Sequence, residues 1–449
     1  MHRRPKMLTE LPTDIIDRIL TFLPDYRSLA SALRSSKATF YVTFQVHPKS
    51  IIKAIAINIA GPTLPQALRR LEAQKLIEEQ NGANHDYDLL TTLPDEAQIL
   101  EQVSIDRSIG HFLAVNAQTV RSLEDLFSIR YKDRTSTRSK LDDEESFRFH
   151  RAMYRFWIVI FLEQLLDNDG EETQEIHNFL NQYPSPQLRQ IEQVATFLRD
   201  VVSWNACSRN DTFDDVCYEW DVFNGPDHVL RSYQHGEQMD FHIDPPPIDF
   251  EMFDRQYHRA MDDIRRKRSL QYKDREEAIL NSVTGKDDQC HRCHLVAGVH
   301  LWGLTNFHLF GNFHSPKALV GCLNGYLPQN PVERDFVIQH ILKRDDEDNR
   351  TFNYADMVQE IFDLEQDSDG VWDKNNWYCD TCMMVLCKTR FTRWWISRKA
   401  TLDLPVKEDC WYGYNCRTQR HRFAHAQRLN HLCEPTRGDP LPVIGQPNP

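Results

Sequence analysis

The hydrophobic and polar positions of this chain follow a helical period over most of its first 285 residues. Apolar residues recur three and four positions apart at 67–73, 147–157 and 191–198, the spacing of one face of an α-helix. The stretch 147–166 is too apolar for a surface helix and is predicted to form the centre of the core. We therefore expect a mainly α fold with a large helical domain over residues 51–285.

A separate helical pattern lies near the N-terminus. Pro12 sits where a first helical turn accepts proline, apolar residues follow at 15, 16, 19, 20 and 23, and Pro24 ends the stretch. A second stripe starts near Leu29. Helices this short are marginal alone in water and need a partner surface. That surface is either another protein or the domain behind them, in which case this is a plain N-terminal helix.

This Leu-Pro opening with paired apolar residues resembles the F-box, of the fungal type. The resemblance implies that residues 1–50 dock on the S-phase-kinase-associated adaptor of a cullin-RING ubiquitin ligase. It covers about a tenth of the chain. The docking face that it implies consists of Leu11, Pro12, Ile15, Ile16, Ile19, Leu20 and Leu29.

Length and hydropathy limit the class of protein. A chain of 449 residues is expected to form two or three domains. Its longest apolar run, 156–162, has seven residues, whereas a membrane span needs about 20. No hydrophobic segment follows the first residues. We therefore expect a nuclear and/or cytoplasmic protein that is not secreted and has no membrane partner.

Two pairs of cysteines carry the spacing of zinc knuckles: Cys290-His-Arg-Cys293 and Cys379-Asp-Thr-Cys382. Each pair can hold one side of a tetrahedral Zn²⁺, so residues 286–400 are predicted to be a zinc-binding region. The alternative ligands are His291, His294 and Cys387. A thioredoxin-like redox pair is the competing use of this spacing, but neither pair lies in a convincing βαβ setting.

A second set of metal ligands lies near the C-terminus. Cys410-Trp-Tyr-Gly-Tyr-Asn-Cys416-Arg-Thr-Gln is followed by His425 and His431. Two thiolates and two imidazoles match a tetrahedral structural Zn²⁺, and so short a segment is expected to depend on the metal for its folding. The sequence thus predicts two Zn²⁺ per chain. The competing interpretation is surface Cys and His residues that bind no ion.

The same residues resemble the poly(ADP-ribose)-binding zinc finger of checkpoint ubiquitin ligases with forkhead and RING domains, and of aprataxin-like repair factors. The resemblance assigns residues 405–438 to such a finger and 439–449 to a tail. It implies an adenine platform at Tyr412 and Gly413, and contacts from Arg417 and Gln419 to pyrophosphate and ribose. Eight residues separate Cys416 from His425, more than the family usually has. His421 is therefore an alternative third ligand, and Cys433 an alternative fourth.

The charge distribution points to an anionic partner at this end. Residues 388–437 contain eleven Lys and Arg against four Asp and Glu, in a chain of net charge −13. Trp411 adds a further face on which a base can stack. Poly(ADP-ribose) and single-stranded nucleic acid both satisfy these features.

No motif of an enzyme is present: the sequence has no Gly-rich phosphate loop, no G-x-S-x-G and no H-E-x-x-H. We therefore expect a non-catalytic, substrate-recognition subunit of an SCF-type (cullin-RING) ubiquitin ligase that binds poly(ADP-ribose) through its C-terminal finger. The alternative is a zinc-dependent reader of poly(ADP-ribose) or single-stranded nucleic acid with no ligase link.

Overall fold

The computed structural model describes residues 11–80, 92–165, 173–205, 222, 224–235, 253–270, 278–310, 316–342, 354–364, 372–401 and 407–438. These residues form helices joined by short turns, with two short strands near the C-terminal end. The prediction of a mainly α fold with irregular, metal-binding C-terminal modules is confirmed. The predicted tail 439–449 lies outside the described residues.

Four helices form the N-terminal part. Asp25 begins the second of them, because its carboxylate accepts a hydrogen bond from the backbone N–H of Ser28 at 2.6 Å. The side chains of Ile16, Leu20 and Leu29 turn inward and are buried in the same core as the rest of the chain. The four helices are α1 (Thr13–Thr21), α2 (Tyr26–Ser35), α3 (Val42–Val46) and α4 (Pro48–Ala60).

The middle of the chain packs around one central helix, as the apolar stretch predicted. The helices of this part are α5 (Leu64–Gln80), α6 (Ile99–Gln102), α7 (Arg107–Phe127), α8 (Asp143–Leu165), α9 (Thr173–Asn181), α10 (Ser185–Asn205), α11 (Pro226–His235) and α12 (Phe253–Arg268). The central helix is α8, which contacts α5, α7, α9, α10 and α12. Trp157 and Tyr154 are fully buried on it, and Phe149 meets Phe127 with ring centroids 4.9 Å apart.

One stretch, Pro48–Leu76, is long and apolar enough to cross a membrane by length and composition alone. It comprises α4 and most of α5, with a break at Gly61–Thr63 where Gly61 has φ +60°. More than half of its most apolar window, 56 %, is buried inside the protein. The core helices of soluble proteins have the same composition, so this stretch is weak evidence for a membrane span.

The C-terminal part has two short antiparallel strands, β1 (Leu301–Trp302) and β2 (Tyr378–Cys379). Leu301 pairs with Cys379, so this ladder brings the second cysteine knuckle beside the first. The helices of this part are α13 (Pro316–Val320), α14 (Pro331–Leu342), α15 (Tyr354–Asp363), α16 (Asp380–Ala400) and α17 (Phe423–Arg428).

Two arginines connect the helical middle to the knuckle region. The Arg130 guanidinium lies over the Trp302 ring at 4.4 Å and donates a hydrogen bond to Val299 O at 2.7 Å. Arg134 is almost fully buried and donates to Asp288 Oδ2 at 2.5 Å. The domain boundaries at 50, 285 and 400 stay predictions, but the described parts on either side of residue 285 share direct polar contacts.

Candidate metal centres and the surface of the finger

The first candidate metal centre contains the four cysteines that the sequence predicted. The sulfur atoms of Cys290, Cys293, Cys379 and Cys382 all lie within 4.8 Å of one another. The Cys293 and Cys379 sulfurs are 3.6 Å apart. Two sulfurs bound to one tetrahedral Zn²⁺ lie about 3.8 Å apart, given Zn–S bonds of about 2.3 Å. The four donors therefore fit one zinc ion.

Backbone amides favour a thiolate at this centre. Burial by itself raises the pKa of the Cys290 thiol, but hydrogen bonds from the backbone N–H groups of Cys293, Cys379 and Arg292 lower it more, so the pKa falls to about 7. The Cys379 N–H lies 3.3 Å from the Cys290 sulfur. Burial instead raises the pKa of Cys382, and the three neighbouring thiols raise it further. A bound cation would remove this mutual repulsion, because zinc takes the thiolate form of each cysteine.

The second candidate metal centre lies in the finger. Cys410, Cys416, His425 and His431 place one donor atom each within 4.8 Å of the others. His425 Nε2 lies 3.3 Å from the Cys416 sulfur and 3.8 Å from the Cys410 sulfur. Tetrahedral zinc sets this sulfur–nitrogen distance at about 3.6 Å. The two clusters can each hold a zinc ion, as predicted.

His431 gives the best test of whether a metal fits the finger. The residue is fully buried, and neither of its ring nitrogens has a hydrogen-bond partner. Burial, and then the neighbouring His425, lower the pKa of His431 to about 4, so its imidazole is neutral near pH 7. A buried neutral imidazole with no partner is costly unless a ligand uses its lone pair. A bound metal ion would use this lone pair.

The alternative ligands lie elsewhere. His421 is exposed, and His425 takes the position that was open to either residue. The Cys433 thiol hydrogen-bonds to the backbone oxygens of Cys410 and Asn430. Cys387 is buried outside the four-cysteine cluster. His291 and His294 are exposed and also stand outside it.

The loop between Cys410 and Cys416 turns sharply at Gly413. Its φ is +42°, and a Cβ at this position would lie 2.1 Å from Cys433 O. A side chain at 413 would therefore clash with the backbone of the chain segment that crosses beneath the loop. Gly413 lets the loop project two aromatic side chains: Trp411 is 60 % exposed and Tyr412 48 % exposed.

One segment of the finger surface, 417–428, is uniformly basic. This segment contains four arginines, all exposed, and no Lys, Asp or Glu. Arg437 stacks on Trp411, with its guanidinium carbon 3.9 Å from the ring centroid. An arginine therefore lies directly on the aromatic loop, and four more follow in the next segment, a combination that favours an anionic ligand with flat rings.

Gln419 is a correction to the predicted ligand contacts. Its side chain is fully buried, with Oε1 accepting from Asn330 Nδ2 at 2.8 Å and Nε2 donating to Tyr414 O at 3.1 Å. Both ends of the amide are used inside the protein. In this structure Gln419 holds the finger to the residues before α14 and does not face a ligand.

The docking of the finger on the segment before α14 was not predicted from the sequence. Besides the Gln419 bond, Tyr326 N donates to Tyr414 O at 2.9 Å, and the Arg420 guanidinium lies 5.3 Å from the centroid of the Tyr326 ring. Helix α17 of the finger contacts α14. Metal is therefore not the only source of stability for the finger. Asn330 gave no signal for this contact in the sequence, because asparagine is common at helix starts.

The seven residues predicted to contact an adaptor do not share one environment. Ile16, Leu20 and Leu29 are buried within this chain. Pro12 and Ile15 are exposed, and Leu11 and Ile19 are partly buried. The first three residues support the core of the N-terminal helices, whereas the other four stay predicted docking residues.

Comparison with known proteins identifies relatives that match about a third of the chain, 32 %. It is 29 % identical over 156 residues to the E3 ubiquitin-protein ligase CHFR of Pongo abelii, a match covering 32 % of this chain and 25 % of the relative. The Homo sapiens protein of the same name is 28 % identical over 156 residues, with 32 % and 22 % covered. The Xenopus tropicalis protein is 28 % identical over 158 residues, with 32 % and 23 % covered. The chain spans about a quarter of the length of these relatives.

No family model matches the chain. No solved structure matches it. The relatives give no support to an F-box or to its fungal type. The expectation of a non-catalytic protein is wrong by this comparison, because the relatives are named E3 ubiquitin-protein ligases, which are enzymes. Absence of the searched motifs did not exclude catalysis, since those motifs describe other classes of enzyme.

Proposed function

We propose that this protein acts in ubiquitin ligation and binds poly(ADP-ribose) through its C-terminal finger. The observation that carries this proposal is the second metal centre, whose ligand loop exposes Trp411 and Tyr412 and is followed by the exposed arginines of 417–428. The similarity to proteins named E3 ubiquitin-protein ligase supports the ligase part.

The chemistry of the finger suits a polymer of adenines and pyrophosphates. A base stacked on an exposed aromatic ring contributes about 1–3 kcal/mol in single-strand binders. Arg417 lies directly after the ligand Cys416 and is exposed, so its guanidinium can make charge-assisted hydrogen bonds to a pyrophosphate. Binding of this kind depends on both the ring and the arginine, whereas a general polyanion surface depends on net charge alone.

We also propose that α1 docks on the adaptor of a cullin-RING ligase, so that the chain selects substrates for that ligase in the nucleus or cytoplasm. The supporting observation is an apolar surface on this helix: Ile15 is 39 % exposed, and Phe22, directly after the helix, is 80 % exposed. Single exposed apolar residues are common, but two that lie seven positions apart, and hence on one side of this short element, favour a partner. The face consists of Leu11, Pro12, Ile15 and Ile19 with Phe22.

Single-stranded nucleic acid is the second candidate ligand of the finger, because its bases stack and its phosphates attract arginines equally well. Affinity for poly(ADP-ribose) and for single-stranded DNA of matched charge, measured at two salt concentrations, separates the candidates. We expect tighter binding of poly(ADP-ribose) and a weaker salt dependence. Equal affinities with equal salt slopes would replace our proposal with the second candidate.

Two variants test the residues. Tyr412→Ala and Arg417→Ala should each weaken poly(ADP-ribose) binding by about tenfold or more, the equivalent of a lost stacking or charged contact. Their matched controls are Tyr41→Ala, which is 43 % exposed, and Arg138→Ala, which is exposed; neither residue belongs to the finger. If the finger variants and the controls bind alike, the aromatic loop is not the binding site.

The adaptor proposal is tested by Ile15→Asp, which should abolish binding of the purified chain to the ligase adaptor. Leu295→Asp is the control, since Leu295 is 57 % exposed in the knuckle region. Circular dichroism should show that both variants keep the helical fold. If Ile15→Asp binds the adaptor as wild type does, α1 is a plain N-terminal helix and the proposed link to a cullin-RING ligase is lost.

A further inference from the structure

A large open cleft separates the N-terminal helices from the helical middle of the chain. Its volume is about 1530 Å³, and residues of α2, α4, α7 and α11 line it. Pockets for one small molecule typically measure about 300–1,000 Å³. The cleft lies on a different part of the chain from both metal centres.

Four arginines line this cleft: Arg27, Arg34, Arg121 and Arg231. Arg27 and Arg34 are exposed and lie seven residues apart on α2, hence on one face of the helix. Arg121 donates a hydrogen bond to Ile59 O at the opposite wall. The arginine side chains therefore come from α2, α7 and α11, and they surround the cleft.

Three aspartates also line the cleft, but each has a partner within the protein. Asp25 caps α2 through Ser28 N, and Asp106 caps α7 through Ile109 N at 2.8 Å. Asp227 forms an ion pair with Arg231 at 3.1 Å. Hydrogen bonds from the first turn of α2 also lower the pKa of Asp25. Asp25 also interacts electrostatically with Arg27. Four arginines against three aspartates leave one positive charge in excess, and two of these aspartates lie at helix N-termini.

Apolar side chains fill the space between the charged groups. Leu29 and Leu230 are buried along the cleft, and Val115 on α7 is 47 % exposed in it. The cleft therefore has apolar side chains at its base, or floor, and arginines around it. This arrangement would suit a peptide in which apolar and acidic side chains alternate.

We propose that this cleft binds an acidic peptide segment of a partner protein, with apolar side chains on the floor and carboxylates on Arg27 and Arg34. A nucleic acid carries a phosphate at every repeat and would bring some of them against the three aspartates, whereas a peptide can place its apolar side chains there. Association of two copies through the cleft is the other outcome that the test distinguishes. This inference goes beyond the proposed function of the finger and does not depend on it.

The test uses the full chain and a short fluorescein-labelled peptide of alternating Glu and Leu, followed by fluorescence anisotropy. A peptide of alternating Lys and Leu is the control ligand. The double variant Arg27→Glu with Arg34→Glu should weaken binding of the acidic peptide by about tenfold or more. Lys49→Glu with Arg138→Glu makes the same change in net charge at exposed positions outside the cleft, and should retain wild-type affinity.

A second variant tests the floor without altering an arginine: Val115→Asp should weaken binding, whereas Leu295→Asp should not. Tyr412→Ala should leave peptide binding unchanged, which separates this site from the finger. The proposal is overturned if the wild type fails to bind the acidic peptide, binds the basic peptide equally, or loses affinity equally in both double variants. Displacement of the peptide by an oligonucleotide of matched charge at equal affinity would assign the cleft to polyanions. A wild-type dimer that the cleft variant dissociates would assign it to a second copy.

Discussion

Gln419 gives the sharpest test of how the finger is held, because a structural role and a ligand role predict opposite results. The side chain is fully buried between the finger and the segment that precedes α14. Gln419→Ala removes the acceptor of the Asn330 amide and one donor to Tyr414 O. We expect this variant to lose stability, and to lose affinity for poly(ADP-ribose) only as far as the finger unfolds.

The magnitude follows from what each partner loses. Asn330 Nδ2 is left buried without its acceptor, at a cost of about 1–3 kcal/mol. Tyr414 O keeps a second hydrogen bond, from Tyr326 N at 2.9 Å, so its loss is closer to about 0.5–1 kcal/mol. The two losses together come to about 1.5–4 kcal/mol. The N-cap of α14 survives, because Asn330 Oδ1 still accepts from Val332 N at 3.0 Å.

Urea unfolding followed by tryptophan fluorescence measures this change, with zinc in excess. Gln427→Ala is the matched control, since Gln427 is an exposed glutamine of the same finger. Asn330→Asp keeps the cap and removes the amide donor, so in a double-mutant cycle it should add little to Gln419→Ala. Unchanged stability of Gln419→Ala with a large loss of ligand affinity would refute the structural role and restore the predicted contact to the ligand.

Two further predictions concern metal and pH. Native mass spectrometry should find two Zn²⁺ per chain. Cys410→Ser should lose the ion of the finger and keep the other, whereas Cys382→Ser should lose the ion of the four-cysteine centre. A single ion in the wild type would contradict one of the sites. Burial raises the pKa of Glu96, but hydrogen bonds and charge from Arg155 lower it more, so its net pKa is below the ordinary 4.5. The ionised Glu96 therefore stabilises the folded protein fully above pH 4.5, its ordinary pKa. This stabilisation is lost as the pH falls through the lower pKa that Glu96 has in the folded protein. In Glu96→Gln, the free energy of unfolding should therefore decrease less steeply below pH 4.5 than in the wild type. The same pH dependence in both proteins would show that the pair of Glu96 with Arg155 contributes nothing.

The sequence predicted the elements whose cause is local. The spacing of apolar residues in 147–166 identified α8 as the centre of the core, and Pro12 and Pro24 bracketed α1 closely. Each half of the first metal centre was identified by a pair of cysteines with two residues between them, a spacing typical of a metal site or a redox pair. These signals depend on residues near one another in the chain.

Contacts between distant segments could not be predicted in this way. The burial of Ile16 depends on the helices that pack behind α1, and an exposed docking face has the same helical pattern. Gln419 looks like a free polar residue of a small finger until Asn330 is placed beside it. The choice of His425 over His421 likewise depends on the turn after Cys416, which brings the later imidazole to the sulfurs.

The position of Arg437 bears on how the finger would read an adenine. Its guanidinium covers one face of Trp411, and the backbone N–H groups of Thr436 and Arg437 both donate to Trp411 O at 2.9 Å. That face of the indole is already used for a cation–π contact. A base must therefore stack on the opposite face or on Tyr412, which points to Tyr412 as the primary platform. If the finger binds a base as proposed, Arg437 would add positive charge beside it, and its contact with the indole would reduce the conformational entropy lost on binding.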